Sequence, residues 1–301
     1  MPIAVMFTIN PKEIKTPLMH SYMLSAIAPR PIAFVSTVDK AGNVNLSPFS
    51  FFNAFGSNPP LVVFSPARRV RDNSTKHSLE NVLEVPEATI NVVNYAMVQQ
   101  ASLASSEYPK GVNEFAKSGF TEVPSVLIRP PRVKESPVQL ECKVVDVIET
   151  GKEGGAANLV VCHILLMHIS EDVLTPDKKI DQHKIDLVAR MGFDWYCRAS
   201  GAALFEVPKP LHSPLPVGYD NIPASIRGSA VLTGNNLGTL GNVAALPTED
   251  EVKKFRESEF YRNEVLPLTE QKSIEEIHLL AKKLLDEGRV SEAWLVMISS
   301  Q

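Results

Sequence analysis

The chain has 301 residues, of which 44% are hydrophobic and 21% charged, and its formal net charge is −4. This composition is typical of an ordinary soluble globular protein with one large or two smaller domains. The negative charge argues against a general binder of nucleic acid or of anionic membranes. No run of about 18 apolar residues occurs and the N-terminus soon turns polar, so we expect no transmembrane helix and no signal peptide.

The three cysteines, Cys142, Cys162 and Cys197, lie far apart and form no CxxC pair. This spacing predicts neither a disulfide framework nor a metal site. His163 and His168 differ by an odd offset in a predicted strand, so they face opposite sides and also make a poor metal site. We therefore expect a metal-free protein of the reducing cytoplasm.

Two apolar runs, Pro31–Val38 and Leu61–Phe64, predict strands. Neither face of the first run carries a charge, so we expect that strand to be covered on both sides. The hydroxyls of Ser36 and Thr37 within it would bond either a ligand's oxygens or nearby backbone groups. Arg30 stands between two prolines, which favour an extended backbone. It would contact a phosphate or ribityl group of a ligand, or form a surface salt bridge.

Between the two strands, a turn at Asp39–Asn43 leads into a loop, Asn45–Phe55, in which phenylalanines alternate with small polar residues. The aromatic side chains could simply form core. A pure core strand, however, would rarely carry so many hydrogen-bonding groups. A flat heteroaromatic ring needs an apolar face and polar groups along one edge. The candidate ring contacts are Ser47, Pro48, Phe49, Ser50, Phe51 and Asn53.

The loop after the second strand, Ser65–Lys76, is rich in cations, and a helix is predicted over residues 75–85 with Asp72 or Ser74 as its cap. A phosphate at the start of such a helix would meet free N–H groups and nearby cations. The alternative is a solvated basic loop. The candidate phosphate contacts are Lys76, Ser78 and one of Arg69 or Arg71, and Ser65 at the start of the loop is a further candidate ligand contact. A ligand that is flat at one end and anionic at the other, such as flavin mononucleotide (FMN), would suit both loops.

The rest of the first 210 residues predicts a strand at Ala88–Tyr95, two short helices and a long hairpin. The helices are expected at Met97–Ser106 and Val112–Lys117, and the hairpin strands at Val138–Thr150 and Asn158–Ser170. The pattern is that of a mainly antiparallel β-barrel with peripheral helices.

Residues 211–301 are predicted to be a partly helical C-terminal extension that packs on the barrel or on a dimer partner. The glycine-rich run Gly234–Gly241 lacks the order of a dinucleotide-binding motif, so we expect a turn-rich loop. A capping box at Ser273–Glu276 begins a helix that ends at Gly288. Its apolar stripe would be buried on the barrel, on a partner chain or on a second protein. The stripe comprises Ile277, Leu280, Ala281, Leu284 and Leu285.

The segments RPIAFVST (30–37), NLSPFSFFNAF (45–55), STKHS (74–78) and ARMGFDWYCR (189–198) resemble the flavin reductase-like and flavoredoxin-like family. The resemblance covers about residues 15–210, and IPASIRGSAVLTGNNLGTLGNV (222–243) extends it towards longer flavoredoxin-like members. The Asp and Thr that usually follow the family's lysine are His77 and Ser78 here. The resemblance implies an FMN-binding split β-barrel over residues 1–210, Greek-key-like, and a homodimer with the flavin near the interface.

The resemblance also implies an oxidoreductase in which FMN accepts a hydride from NADH or NADPH and passes electrons to an acceptor. It places residues 180–198 near the exposed flavin face or the dimer partner. Arg190 would attract nicotinamide dinucleotide phosphates and Tyr196 would pack on a ring, although an Arg–carboxylate pair and a core tyrosine fit as well. The alternatives are an electron-transfer flavoprotein that serves a redox protein without using nicotinamide, and a different flavin reaction.

Overall fold

The apolar segments between residues 33 and 169 form a seven-stranded sheet in the computed structural model of this protein, which describes residues 5–210 and 212–300. The strands of the chain are β1 (Ala33–Val38), β2 (Val44–Phe49), β3 (Phe52–Ser57), β4 (Pro60–Phe64), β5 (Glu87–Val92), β6 (Glu122–Val123), β7 (Arg132–Val133), β8 (Val138–Glu149), β9 (Asn158–Ile169), β10 (Val188–Arg190) and β11 (Tyr196–Arg198). The sheet order is β2-β1-β5-β8-β9-β4-β3, and every neighbouring pair is antiparallel. The predicted mainly antiparallel β fold and the long β8–β9 hairpin are confirmed.

The two edge strands of this sheet, β2 and β3, follow each other in the chain. Only Ser50 and Phe51, here called the link, separate Phe49 at the end of β2 from Phe52 at the start of β3. A sheet whose opposite edges are joined by two residues must curl round on itself. No ladder joins β2 to β3 within the described residues, so the curled sheet is not a closed barrel.

Strand β1 is buried on both faces, as its uncharged sequence predicts. Ala33 and Val35 pack into the core on one side of the sheet, and Phe34 packs into a second core on the other. The second core is completed by the helical segment after β5, which covers that face. Strand β1 therefore lies between two layers of side chains.

The helices of the N-terminal unit, Met1–Phe205, lie around this sheet. They are α1 (Thr16–Ala26), α2 (His77–Glu84), α3 (Val98–Leu103) and α4 (Glu114–Ser118). The prediction of a helix after the cation-rich loop is confirmed, but its predicted cap is wrong. Lys76 is the N-cap residue of α2 and no side chain caps it, because Asp72 instead accepts from the N–H and hydroxyl of Ser74.

The segment Asn45–Phe55, predicted to be a loop, is largely strand. β2 pairs with β1 over its full length, and β3 pairs with β4. Polar side chains do not prevent strand formation when the backbone finds a partner on one side, because the pairing is made by main-chain groups.

The C-terminal unit, Glu206–Gln301, is helical. Its helices are α5 (Ala224–Arg227), α6 (Gly234–Gly241), α7 (Glu249–Arg256), α8 (Leu266–Glu270), α9 (Ile274–Asp286) and α10 (Val290–Ser299), with a π-helical turn at Tyr261–Val265. The run Gly234–Gly241 was predicted to be a loop and is a helix instead. Thr233 and Asn236 cap its start reciprocally, which offsets the poor helix propensity of its glycines.

The predicted helix of the C-terminal unit is confirmed as α9, but two details are wrong. Ser273 is its N-cap residue and makes no capping hydrogen bond. The apolar stripe packs in the core of its own unit around Trp294, whose indole N–H donates to the Leu240 carbonyl at 3.1 Å. The stripe is therefore already covered within the C-terminal unit.

Candidate functional site

Four of the predicted ligand contacts meet in one small hollow between α2, β2 and the segment after α3. This hollow, here called the polar recess, has a volume of about 20 Å³. Ser47, Arg69, Lys76 and Ser78 line it together. Its other lining residues are Asn45, His77, Ala104, Ser105, Ser106, Glu107, Tyr108 and Glu114.

Lys76 is the cation of the polar recess that has no partner. Its ammonium makes no hydrogen bond and no ion pair with any residue in the described part of the chain. Burial lowers the pKa of Lys76, and the nearby charge of Arg69 lowers it further. As the N-cap residue of α2, Lys76 also stands beside the first N–H groups of that helix, which have no intrahelical acceptor. The arrangement favours a bound anion.

Arg69 is held in place by the cation-rich loop itself. Its Nη1 donates to Ser74 Oγ at 2.8 Å and to the Thr75 carbonyl at 2.5 Å, and its Nε lies 3.1 Å from Glu107 Oε1. Arg71, the alternative candidate, is exposed and pairs with Glu107 and Asp72 at the surface. The structure therefore places Arg69, and not Arg71, in the wall of the recess.

A hydrogen-bonded pair and a buried carboxylate form another side of the polar recess. Asn45 Nδ2 donates to Ser78 Oγ at 2.9 Å, which leaves the hydroxyl proton of Ser78 available to an acceptor in the recess. Glu114 accepts from the Leu46 N–H at 2.9 Å, and burial raises the pKa of its carboxyl group.

A larger hollow of about 370 Å³, here called the main cavity, adjoins the polar recess, and Ser105 lines both. The remaining lining residues of the main cavity are Ile32, Pro48, Ser50, Val93, Val98, Ala101, Ser102, Arg190, Asp194 and Tyr196. The predicted residues Pro48, Ser50, Arg190 and Tyr196 thus meet here. One wall is apolar, while serines and two charged groups supply polar contacts. This volume is within the range of small-molecule sites.

Arg190 and Tyr196 face each other across the β10–β11 hairpin. The Arg190 guanidinium lies 4.6 Å from the centre of the Tyr196 ring, and its Nη2 donates to the Phe193 carbonyl at 2.7 Å. Arg190 forms no ion pair with a carboxylate of the described residues, and Tyr196 is half-buried against the second core rather than fully buried. This leaves a positive, aromatic surface at one side of the main cavity.

Arg30 lies beneath the main cavity and is 5% exposed, which excludes a surface salt bridge. Its Nη1 donates to the carbonyls of Leu24 and Ile27, and its Nη2 donates to that of Met191 at 2.8 Å. Its Nε reaches Ser50 Oγ at 3.4 Å. Burial, and then the charge of Arg190, lowers the pKa of Arg30. Arg30 therefore joins the end of α1 to the β10–β11 segment and reaches the cavity only through Ser50.

Several predicted contacts do not line either hollow. Ser36 and Thr37 are fully buried, and Thr37 Oγ1 accepts from Asn81 Nδ2 at 3.0 Å. Phe49 packs in the core, with its ring centre 5.5 Å from that of Phe64. Asn53 is exposed on the edge strand β3. Phe51 and Ser65 line a third hollow, which is separate from the main cavity.

Sequence reasoning missed the residues that the α3 segment contributes, namely Ser102, Ser105 and Glu107. A signal was present, because all residues of Ala101–Ser106 except Leu103 are small, and the segment lies at the end of a short helix. Small side chains let a ligand approach a helix closely. The carboxylates of Glu114 and Asp194 carried no such signal, since single acidic residues are usually solvated.

Two structural properties of the described residues bear on function. Among them, no group of three or more histidine, cysteine, aspartate or glutamate side chains is placed to hold a metal ion. None of their helices is both long enough and apolar enough to cross a bilayer.

Comparison with known proteins connects this geometry to a family. A model of the flavin reductase like domain matches residues 24–183, a range that includes every residue of the polar recess. An uncharacterized protein of Aquifex aeolicus is 31% identical over 196 residues, which are 65% of this chain and 97% of that protein.

Two solved structures align with most of the chain. Nitrilotriacetate monooxygenase component B from Bacillus cereus gives a TM-score of 0.63 at 26% identity, covering 68% of this chain and 100% of that chain. A Shewanella frigidimarina protein with a split barrel domain gives a TM-score of 0.57 at 28% identity, covering 66% of this chain and 95% of that chain.

Proposed function

This chain belongs to the flavin reductase-like domain family, and we propose that it binds FMN with the phosphate in the polar recess and the ring in the main cavity. The proposed activity is that of an oxidoreductase using NADH or NADPH. The observation that carries the proposal is Lys76, which has no hydrogen-bond or ion-pair partner among the described residues and lies in a recess next to a cavity of ring size. The test is whether affinity depends on the phosphate of the ligand.

The residues of the polar recess fit a phosphate monoester. Lys76 supplies a charge, Ser47 and Ser78 supply hydroxyls, and the start of α2 supplies free N–H groups. Arg69 already has a carboxylate partner in Glu107, so an incoming phosphate would compete with Glu107 for it. This competition would make binding selective for a strongly charged anion over a weak one.

The main cavity fits a flat heteroaromatic ring. Ile32, Val93, Val98 and Ala101 provide an apolar wall, while Ser50 and the backbone beside Pro48 provide polar contacts for a ring edge. Bound FMN would supply the hydride-accepting chemistry, and the chain's task is to orient the ring and to limit its contact with water.

Arg190 and Tyr196 would receive the second substrate. The guanidinium can attract the phosphates of a nicotinamide dinucleotide, and the half-buried tyrosine ring offers a surface for stacking. We assign them binding roles, and we assign no acid–base step to a side chain.

We further infer a split β-barrel and a homodimer. The curled sheet supports the split barrel, because β2 and β3 are joined by the link and are not paired within the described residues. Most of β3 is exposed, and its outer edge has no partner strand, which a second subunit could cover. Sedimentation equilibrium at two concentrations measures the mass.

The reductase is favoured over the flavoredoxin-like electron carrier. The carrier hypothesis used the apolar stripe of α9 as a docking surface for a redox protein. That stripe is buried in the core of the C-terminal unit, so it is not available for docking.

The decisive experiment titrates the purified protein with FMN and with riboflavin, following flavin fluorescence. We expect FMN to bind at least about 10-fold more tightly, because riboflavin lacks the phosphate. Stopped-flow reduction of the FMN complex by NADH and by NADPH, recorded at 450 nm, then separates the reductase from the carrier. Equal affinities for the two flavins would overturn the binding site, and no reduction by either nucleotide would overturn the activity.

A further inference from the structure

A third hollow of about 370 Å³, here called the apolar pocket, lies between α1, the link, the loop after β4 and the start of β9. Met19, Met23, Phe51 and Leu159 give it a largely carbon surface. Among the described residues, no lysine, arginine, aspartate or glutamate lines it. An uncharged lining of this kind disfavours an ionic ligand, because a buried charge needs a partner.

One polar atom in this wall is unsatisfied. Ser65 is 6% exposed, and its hydroxyl has no hydrogen-bond partner within the described part of the chain. Its own N–H is used, since it donates to the Phe51 carbonyl at 2.9 Å. Ser36 also has an unpartnered hydroxyl, but it lines none of the three hollows. An unpartnered hydroxyl on a residue that lines a cavity points to a ligand that supplies a partner.

The other side chains of the apolar pocket favour an aromatic ligand. Phe51 meets His20 edge-to-face, with ring centres 6.2 Å apart and planes at 84°. Met19 and Met23 line the same pocket, and thioethers contact aromatic rings favourably. A cavity of about 150 Å³ can hold benzene, so this pocket has room for a larger ring system.

We propose that the apolar pocket binds a neutral aromatic molecule of one or two rings carrying a hydroxyl group, as in a phenol or naphthol. The hydroxyl of the ligand bonds to Ser65, and its rings lie among Phe51 and the two methionines. The pocket is separate from the proposed flavin site, because Ser50 and Phe51 are consecutive residues whose side chains line different hollows. Binding there requires no flavin.

The test uses the full chain and two probes that differ by one hydroxyl, 2-naphthol and naphthalene, followed by their fluorescence. We expect saturable 1:1 binding of 2-naphthol that changes less than about twofold when FMN is present. Ser65→Ala should weaken the binding of 2-naphthol by about 3- to 10-fold, the usual range for one buried hydrogen bond, and leave the affinity for naphthalene unchanged. Ser57→Ala, at an exposed serine of β3, is the matched control and should leave the affinity for both probes unchanged.

Two variants that fill the pocket with a phenylalanine side chain give independent tests, so that one remains if the other fails to fold. Val70→Phe and Ala67→Phe both project into the pocket and should weaken both probes at least about 10-fold. FMN affinity and the thermal melting curve report whether each variant is folded. Absence of saturable binding, competition with FMN, or an equal effect of Ser65→Ala on both probes would overturn the proposal. The proposal would also be overturned if a second copy of the chain covers the pocket. In that case 2-naphthol would bind only after the protein is diluted until it is monomeric.

Discussion

The segment around Arg30, between the end of α1 and β10–β11, holds a buried cation, the polar recess holds the half-buried Lys76, and the two regions use these cations in opposite ways. Arg30 donates to three main-chain carbonyls and to Ser50, so nearly all of its hydrogen-bonding capacity is used. In the recess, Lys76 has no partner among the described residues. The first arrangement holds segments of the chain together, whereas the second leaves a charge available to a ligand.

The pKa shifts follow the same division. Burial is the largest cause of the lowered pKa of both groups, but the charged Arg30 is compensated by carbonyl oxygens and Lys76 is not. Removing the arginine should therefore cost stability, while removing the lysine should cost affinity for an anion. Three substitutions test this contrast.

The largest effect is expected for Arg30→Met, which leaves three carbonyls without their donor. Each unsatisfied buried group costs about 1–3 kcal/mol, so the free energy of unfolding should fall by about 3 kcal/mol. Urea unfolding followed by circular dichroism measures this. Arg129→Met removes an exposed arginine and should change stability by less than about 0.5 kcal/mol. If both variants behave alike, Arg30 is not a structural clamp.

Next comes Lys76→Met, which keeps the length of the side chain and removes its charge. FMN affinity should fall about 30-fold, the size expected for one charge-assisted hydrogen bond, while riboflavin affinity changes less than about twofold. Stability should be unchanged or slightly higher, because a desolvated ammonium is lost. Lys134→Met, at an exposed position, is the control. An equal loss for the two flavins would mean that Lys76 does not meet the phosphate.

The smallest effect is expected for Glu107→Gln. This carboxylate pairs with Arg69 and Arg71, and those partners, Arg71 first, lower the pKa of Glu107. Neutralising this carboxylate should free Arg69 for the phosphate and tighten FMN binding about threefold. The affinity for riboflavin should not change, and Glu122→Gln is the control. Calorimetry at low and high salt measures the change. Weaker binding would instead assign Glu107 the role of holding Arg69 in position.

Much of the fold was predictable because it depends on local patterns. The uncharged faces of β1, the long apolar runs of β8 and β9, and the cations followed by α2 each carry their own signal within about ten residues. The wrong predictions have two causes. The caps at Asp72 and Ser273 were misassigned because a capping side chain is one of several hydrogen-bonding choices open to the same residue. The segment Asn45–Phe55 was taken for a loop because pairing partners lie elsewhere in the chain.

The sequence by itself determined the family, the order of the strands along the chain and the presence of a cation-rich loop before a helix. Only the tertiary structure decided which of the candidate residues meet. Side chains alternate across a strand or link, so Ser50 enters the main cavity while Phe51 enters the apolar pocket. The tertiary structure also decided that the hydrogen-bond donors of Arg30 have partners and those of Lys76 have none among the described residues. One carbonyl that accepts from Arg30 belongs to Met191, far along the chain. Local sequence cannot specify such long-range partners, and these partners separate a structural cation from one that can bind a ligand.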